Sequence, residues 1–148
     1  KIIFWKNLYK LVKIKYELHS ISAIDKITKI YEQAIKMDNI TYEQCDDNLI
    51  VRVNINELND DIHTFRSDSG YFSEYNASSL NEISKIINRK YQTLSYYGFT
   101  QDVLSNIINE LKPIGIDRIV PIGRTMDFSF VWDGYEIINS FSRRVEII

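Results

Sequence analysis

The stretch Tyr71–Val120, YFSEYNASSLNEISKIINRKYQTLSYYGFTQDVLSNIINELKPIGIDRIV, decides the fold. Three short runs rich in aromatic and β-branched residues predict strands at 71–75, 91–97 and 118–122. Apolar side chains at helical spacing predict helices at 79–87, beginning with Ser79 and Glu82, and at 100–111. Helices that join consecutive strands favour parallel pairing with right-handed connections. We therefore expect an α/β fold that contains a parallel strand-helix-strand-helix-strand unit.

An amino-terminal pair of helices is predicted upstream of this unit, followed by a strand. The first helix covers 4–16, where apolar residues recur at three- and four-residue steps. The second covers 22–37, with Ser22 and Asp25 as a capping pair. Its predicted buried stripe consists of Ile24, Ile27, Tyr31 and Ile35. Residues 48–55 alternate apolar and polar side chains, which predicts a strand with one buried face.

The carboxy-terminal part of the chain, 128–148, is aromatic and β-branched, with a turn predicted at Asp133-Gly134. Ser140–Ile148 alternates as an edge strand does, and an unpaired edge invites another strand. We expect this segment to pair with a second subunit and to make a homo-oligomer. Arg143 and Arg144 weigh against that expectation, because charges on an edge can prevent pairing.

Composition excludes several classes of protein. The 148 residues suit a single domain, and 45% hydrophobic with 26% charged residues excludes a disordered chain. No apolar run reaches the roughly 18 residues of a membrane span, and a net charge of −2 gives no general attraction to nucleic acid. One cysteine and two histidines cannot form a Cys/His metal site, so we expect no metal and a cytoplasmic location. The apolar start at Lys1, without a methionine, suggests the carboxy-terminal fragment of a longer catalytic domain.

No residue of the chain is predicted to be catalytic. Cys45 has Glu43, Asp46 and Asp47 as neighbours, and these carboxylates disfavour a thiolate. His63 follows two aspartates in a predicted loop, where a solvated imidazole is the usual finding. The lysines of the first helix suit a solvated face, and no glycine-rich phosphate loop is present.

The segment Gly115–Gly134 carries the candidate binding site. A parallel strand is predicted to end near Pro121, and ligands of open α/β sheets bind at the carboxyl ends of the strands. The predicted substrate-binding residues are Gly123, Arg124, Asp127, Trp132, Asp133 and Gly134. The alternative is that Arg124 pairs with Asp127 or Asp133 to hold a loop, while Trp132 belongs to the core.

The chain resembles the acyl-CoA reductases related to the fatty acid reductase of bacterial luminescence, a branch of the aldehyde dehydrogenase superfamily. The matching pieces span essentially the whole chain: Phe4-Trp5 with Ser22-Ala23-Ile24-Asp25-Lys26, His63-Thr64-Phe65-Arg66 with Gly70 and Glu74-Tyr75, Lys90-Tyr91-Gln92-Thr93, and Gly115–Gly134 with Ser142-Arg143-Arg144. The run Gly115-Ile-Asp-Arg-Ile-Val-Pro-Ile-Gly123 and the following Trp132-Asp-Gly134 are the most specific of them.

The resemblance implies an aldehyde-dehydrogenase-like catalytic domain that reduces a long-chain acyl-CoA or acyl thioester to an aldehyde with NADPH. A cysteine of the family forms the acyl-enzyme thioester, and it would precede Lys1 in this chain. NADPH would be bound mainly by regions outside these residues, with contacts from Arg66 and Gly70. The chain alone would then be inactive. The alternative, from another class, is a stand-alone α/β domain that binds a ligand or partner without chemistry.

Overall fold

The structure, a computed structural model, describes residues 1–148 and shows a mixed α/β protein with small sheets, one of which is wholly parallel. The chain divides into two compact units, Lys1–Ser78 (unit 1) and Ser79–Ile148 (unit 2). None of the helices is both long and apolar enough to cross a bilayer.

Unit 1 combines two helices with a three-stranded sheet. The helices are α1 (Ile2–Lys15) and α2 (Ser20–Lys36), and the strands are β1 (Thr41–Gln44), β2 (Val51–Asn54) and β3 (Tyr71–Glu74). Strand β2 lies in the centre, antiparallel to β1 and parallel to β3. A short 3₁₀ helix, Ile62–Thr64, lies on the connection between the two parallel strands.

The core of unit 1 forms around the central strand. The predicted alternation in β2 is confirmed, since Val51 and Val53 are fully buried while Arg52 and Asn54, which alternate with them, are half-buried. The buried apolar residues that cluster here are Ile30, Met37, Val51, Val53, Ile55 and Phe65. The edge strand β1 was not predicted, because its exposed sequence Thr-Tyr-Glu-Gln has no apolar alternation.

The helix α2 forms as predicted, but its predicted buried stripe is wrong. Ile24, Tyr31 and Ile35 are 63%, 64% and 85% exposed. The helix instead buries the opposite side, through Lys26, Ile30, Gln33 and Met37. The Ser22–Asp25 capping pair is also absent from the helix start, because the helix begins earlier, at Ser20, with His19 as its N-cap.

Two polar side chains of α2, Lys26 and Gln33, can be buried because other groups of unit 1 supply their hydrogen-bond partners. The Lys26 ammonium donates to the carbonyl oxygens of Asn48 (2.7 Å) and Leu49 (3.1 Å). The Gln33 amide donates to Ser73 Oγ (3.2 Å) and accepts from the Tyr71 hydroxyl (2.7 Å). Hydrogen bonds of this kind offset part of the cost of burying polar groups, so this side of α2 can pack against the sheet.

Unit 2 contains the parallel crossover that the sequence predicts. Strand β4 (Thr93–Tyr96) pairs in parallel with β5 (Arg118–Pro121), and α3 (Gln101–Leu111) connects them. The Thr100 side chain caps α3 by accepting from the Val103 amide. A small hairpin of β6 (Val131–Trp132) and β7 (Tyr135–Glu136) follows, and then the short helix α4 (Ile137–Ser140).

The predicted five-element unit is wrong in its first two elements. Strand β3 does not join the β4–β5 pair, because it pairs with β2, with Tyr71 opposite Val51. The predicted α-helix at 79–87 is a 3₁₀ helix, Leu80–Lys85. Its predicted start is confirmed, since Ser79 and Glu82 form a reciprocal capping box.

Ser140–Ile148 contains no strand, so the predicted edge strand is wrong for this chain by itself. The helix α4 ends at Ser140, and the residues after it are irregular and exposed, with Phe141 at 90% and Ile147 at 94%. A strand needs a partner for its backbone groups, and no other strand of the chain pairs with this segment. Pairing with a second subunit stays a prediction.

Replacing Gly70 by alanine should destabilise unit 1 by about 2–4 kcal/mol. Gly70 has a φ of +88°, and a Cβ there would lie 2.1 Å from the Leu49 carbonyl oxygen. Ser69→Ala is the matched control, since Ser69 (φ 52°) already carries a Cβ at a positive φ, and its cost should stay within about 0.5 kcal/mol. Urea unfolding followed by circular dichroism measures both; equal losses would show that the close approach is not the cause.

Candidate functional site

The candidate site is the loop that leaves β5, residues 122–130, which we call the β5 loop. It begins at the carboxyl end of the strand, where the Ile122 amide donates to the Tyr96 carbonyl oxygen (2.9 Å). It then folds back along β5, because the Arg118 guanidinium donates to the carbonyl oxygens of Thr125 (3.1 Å) and Asp127 (2.7 Å). The site therefore lies beside β5, rather than only at its carboxyl end as the sequence pattern predicts.

Aromatic rings cover part of the β5 loop. The half-buried Trp132 ring stacks on Phe128, with centroids 5.8 Å apart and an interplanar angle of 24°. The Arg118 guanidinium carbon lies 4.3 Å from the centroid of the Trp132 ring, a cation–π contact. Phe128 also meets Phe130 edge to face at 6.0 Å. Trp132 is thus held by a ring and a cation of its own unit.

A cleft of about 400 Å³, the β5 cleft, lies between β5 and the β5 loop. Its chemically informative lining residues are Asp117, Arg118, Arg124, Asp127, Phe128 and Ser129. A guanidinium has five N–H donors, and Arg118 uses two of its nitrogens for the loop carbonyls, so donors remain for a ligand. The lining also contains the carboxylates of Asp117 and Asp127, so an anionic part of a ligand would have to bind at Arg118, next to the apolar surface of Phe128.

Arg124 and Asp127 form an ion pair, as the alternative interpretation predicts, in which Arg124 pairs with an aspartate to hold a loop. Arg124 Nε lies 2.6 Å from Asp127 Oδ2, with side chains 67% and 51% exposed. A pair this exposed contributes at most about 1 kcal/mol. Both residues also line the β5 cleft, so they are available to a ligand at little cost to the fold.

Asp133 and Gly134 are turn residues of the β6–β7 hairpin. Both have positive φ, 49° and 78°, as a two-residue type I′ turn requires. A Cβ at Gly134 would lie 2.9 Å from Asp117 Oδ1, so the turn passes close to the start of β5. Gly123 has a φ of +92° in the β5 loop. The Asp133-Gly134 pair and Gly123 are therefore explained by backbone conformation, without a ligand.

The two predicted cofactor contacts, Arg66 and Gly70, line different depressions of unit 1. The depression at Arg66 also contains Lys29 and three carboxylates, those of Asp25, Glu32 and Asp68. Carboxylates repel phosphate groups, so this depression does not fit the phosphates of NADPH. The surroundings of Arg66 therefore do not favour its predicted cofactor contact, and the contact at Gly70 stays a prediction.

Cys45 lies in a setting that disfavours a thiolate. Partial burial raises the pKa of the Cys45 thiol, and the Asp47 carboxylate raises it further. The imidazole Nδ1 of the other weighed candidate, His63, lies 2.7 Å from the Asp60 carbonyl oxygen. The setting of Cys45 therefore does not resemble that of an activated nucleophile.

Sequence reasoning missed the role of Arg118, which organises the β5 loop. A strand was predicted to begin at Arg118, and the residues expected to bind were those beyond its other end. Only the return of the loop along β5 brings Thr125 and Asp127 to this side chain. Sequence reasoning also missed Phe128 as a lining residue of the β5 cleft, because only the return of the loop brings its ring beside β5.

No family model, curated protein or solved structure matches the chain. The site is therefore characterised by its own geometry.

Replacing Arg118 by alanine should loosen the β5 loop and expose Trp132. The change removes two hydrogen bonds to carbonyls and the cation–π contact, and it should cost about 1–3 kcal/mol of unit 2 stability. Acrylamide quenching of Trp132 in a Trp5→Phe background measures the exposure, since the chain has two tryptophans. Arg124→Ala, which removes only an exposed pair, is the control and should leave quenching unchanged. Equal quenching in both variants would contradict this role of Arg118.

Cys45 should alkylate as a thiol with an elevated pKa. Because burial and Asp47 raise its pKa, the thiolate should appear only above the ordinary value of about 8.5. The rate of reaction with iodoacetamide, measured against pH in the folded chain, gives the midpoint, and the chain in denaturant supplies the ordinary value. A folded-state midpoint below about 7 would mean that Cys45 is activated after all.

Proposed function

We propose that this chain forms part of an NADPH-dependent acyl-CoA reductase of the aldehyde dehydrogenase superfamily, and that the β5 cleft contributes to its acyl thioester site. The observation that carries the proposal is the composition of the cleft, where the Arg118 guanidinium, which forms no ion pair, and the Phe128 ring line one space, beside Asp117 and the Arg124–Asp127 pair. An acyl-CoA joins an apolar chain to a phosphate-bearing carrier, so a site for it needs both kinds of lining. The resemblance of Gly115–Gly134 to that family points to the same segment.

The parallel crossover in unit 2 supports the proposal at the level of the fold. Catalytic domains of the α/β type are built from parallel strands joined by helices, and β4, α3 and β5 form one such repeat. The proposed aldehyde-dehydrogenase-like domain would continue this pattern with strands outside the 148 residues. A cytoplasmic location belongs to the same proposal.

In this proposal the covalent chemistry is not assigned to any residue of the chain. The raised pKa of Cys45 argues against its being the thioester-forming cysteine, which would lie elsewhere in the enzyme. NADPH would likewise be held elsewhere, because the carboxylates around Arg66 oppose its phosphates. The part assigned to these residues is binding: Arg118 fixes the β5 loop, and Phe128 and Arg124 face the substrate.

The second candidate is a stand-alone α/β domain that binds a ligand or partner without chemistry. The observation that favours it is the array of exposed apolar side chains in unit 2, which include Phe130, Ile138, Phe141 and Ile147. Large exposed apolar areas mark interaction surfaces. A binding domain would need neither a nucleophile nor a cofactor, whereas a reductase needs both.

Replacing Phe128 by alanine should weaken acyl-CoA binding about three- to tenfold, because the ring lines the β5 cleft. Isothermal titration calorimetry of the chain with myristoyl-CoA measures the dissociation constant. Phe141→Ala is the matched control, since Phe141 is 90% exposed and lies outside the cleft lining, so its affinity should equal that of the wild type.

A parallel assay separates the two candidates. The protein encoded by the whole reading frame that contains this chain should oxidise NADPH only when an acyl-CoA is present, and Phe128→Ala should lower its kcat/KM by a similar factor. Binding of myristoyl-CoA without any turnover in that protein would favour the binding domain. Equal loss of affinity in the Phe128 and Phe141 variants would remove the β5 cleft from either function.

A further inference from the structure

Unit 1 contains the depression that Gly70 lines, a cavity to which the proposed reductase function assigns no substrate contact. It has a volume of about 330 Å³ and lies beneath the carboxy-terminal half of α1, and we call it the α1 cavity. We propose that the α1 cavity binds the alkyl chain of a fatty carboxylate, with the Lys15 ammonium pairing with the carboxylate group. The inference does not rest on the proposed reductase function, because it concerns other residues and a ligand without phosphate.

The cavity exists because α1 is fixed to the sheet mainly through its first half. The Trp5 ring meets Phe72 edge to face at 5.0 Å, and the Arg52 guanidinium lies 4.6 Å from the Trp5 ring centroid. The Lys1 ammonium pairs with Glu74 at 2.6 Å, and the Tyr9 hydroxyl donates to Asp47 at 2.6 Å. Beyond Tyr9, the apolar side of the helix borders the cavity, and α1 contributes no fully buried residue.

The interior of the cavity is suited to an alkyl chain. Its apolar lining comes from two sides, from the α1 region and from the sheet, through Leu8, Leu11, Val12, Leu18, Leu49 and Phe72. Removing such surface from water is favourable by about 25 cal/mol per Å². A methylene group is similar in size to a water molecule, which occupies about 30 Å³ in the liquid. The cavity volume therefore holds a chain of about ten methylene groups.

The polar groups at the cavity select the head group. The polar side chains of the lining are Lys15, Tyr16 and Ser69, and no carboxylate is among them. Lys15 is exposed and forms no ion pair, while the two hydroxyl groups can donate to an oxygen anion. One ammonium matches the single charge of a carboxylate, whereas the thioester of an acyl-CoA is uncharged at that position and would gain nothing from the pairing.

The turn on the sheet side contributes little side-chain volume to the cavity. Ser69 and Gly70 both have positive φ, and Gly70 packs so closely on the Leu49 carbonyl oxygen that no side chain fits between them. Of the two residues, only Ser69 adds a side chain to the lining, and that side chain is short.

Direct binding of dodecanoate tests the proposal. In a Trp132→Phe background, Trp5 is the remaining tryptophan, and it contacts Phe72, a lining residue. Dodecanoate, kept below its micelle concentration, should change Trp5 fluorescence saturably with one molecule bound per chain. Dodecanol, which lacks the charge, should bind about tenfold more weakly, and myristoyl-CoA should not compete at this site.

Two variants and one control locate the ligand. Val12→Phe fills the cavity and should abolish binding, and Lys15→Ala should weaken it three- to tenfold, as the loss of about 1 kcal/mol of charge pairing implies. Lys10→Ala is the control, because Lys10 lies on the same helix and does not line the cavity. If Val12→Phe fails to fold by circular dichroism, Leu18→Phe fills the same space from another part of the chain.

The proposal is overturned if dodecanoate shows no saturable binding, or if a folded cavity-filling variant binds as the wild type does. Equal weakening in the Lys10 and Lys15 variants would also overturn it, because general attraction to the basic helix would then explain the binding. Competition by myristoyl-CoA with equal affinity would show that the head group is not selected and would refute the carboxylate assignment.

Discussion

Unit 1 depends on the position of one carbonyl oxygen, that of Leu49. The oxygen accepts a hydrogen bond from the buried Lys26 ammonium (3.1 Å), and it occupies the space that a side chain at Gly70 would need. It therefore fixes α2 and the turn before β3 relative to the start of β2. Burial deprives the Lys26 ammonium of water and so lowers its pKa, and its two carbonyl partners offset part of this desolvation cost.

The spacing of apolar residues predicted most helices and strands correctly, but it predicted poorly which strands pair and which side of a helix is buried. The alternation in β2 and the sequence from β4 through α3 to β5 could be predicted, because each is encoded by spacing within one segment. The partner of β3 and the buried side of α2 depend on contacts distant in sequence. Helix α2 carries apolar residues on two sides, and the bonds of Lys26 and Gln33, which no periodicity reveals, decide which side meets the sheet.

The sequence predicted which segment carries the candidate site, but it did not predict how the residues of that segment are arranged. Arg124 and Asp127 do line the β5 cleft, whereas Asp133 and Gly134 form a hairpin turn. The return of the β5 loop along its strand could not be predicted from the sequence. Arg118 holds the loop by donating to a backbone carbonyl oxygen, and every residue has such an oxygen, so the acceptor cannot be recognised from its residue type. Unit 2 has one buried residue, Leu104, and a two-stranded sheet of this kind needs further packing for stability, which the proposed larger domain would supply.

The two candidate ligand sites differ in whether their charged side chains already form ion pairs within the protein. In the β5 cleft, Asp127 neutralises Arg124, so an anionic ligand must compete with an existing pair and gains little from that cation. Affinity there must come mainly from Arg118, whose remaining donors are free of carboxylates, and from the Phe128 ring. In the α1 cavity, Lys15 has no partner to lose, so the charge of a single carboxylate adds to the burial of its chain. The proposals therefore assign largely apolar recognition to the cleft, and to the cavity a ligand that one charge selects.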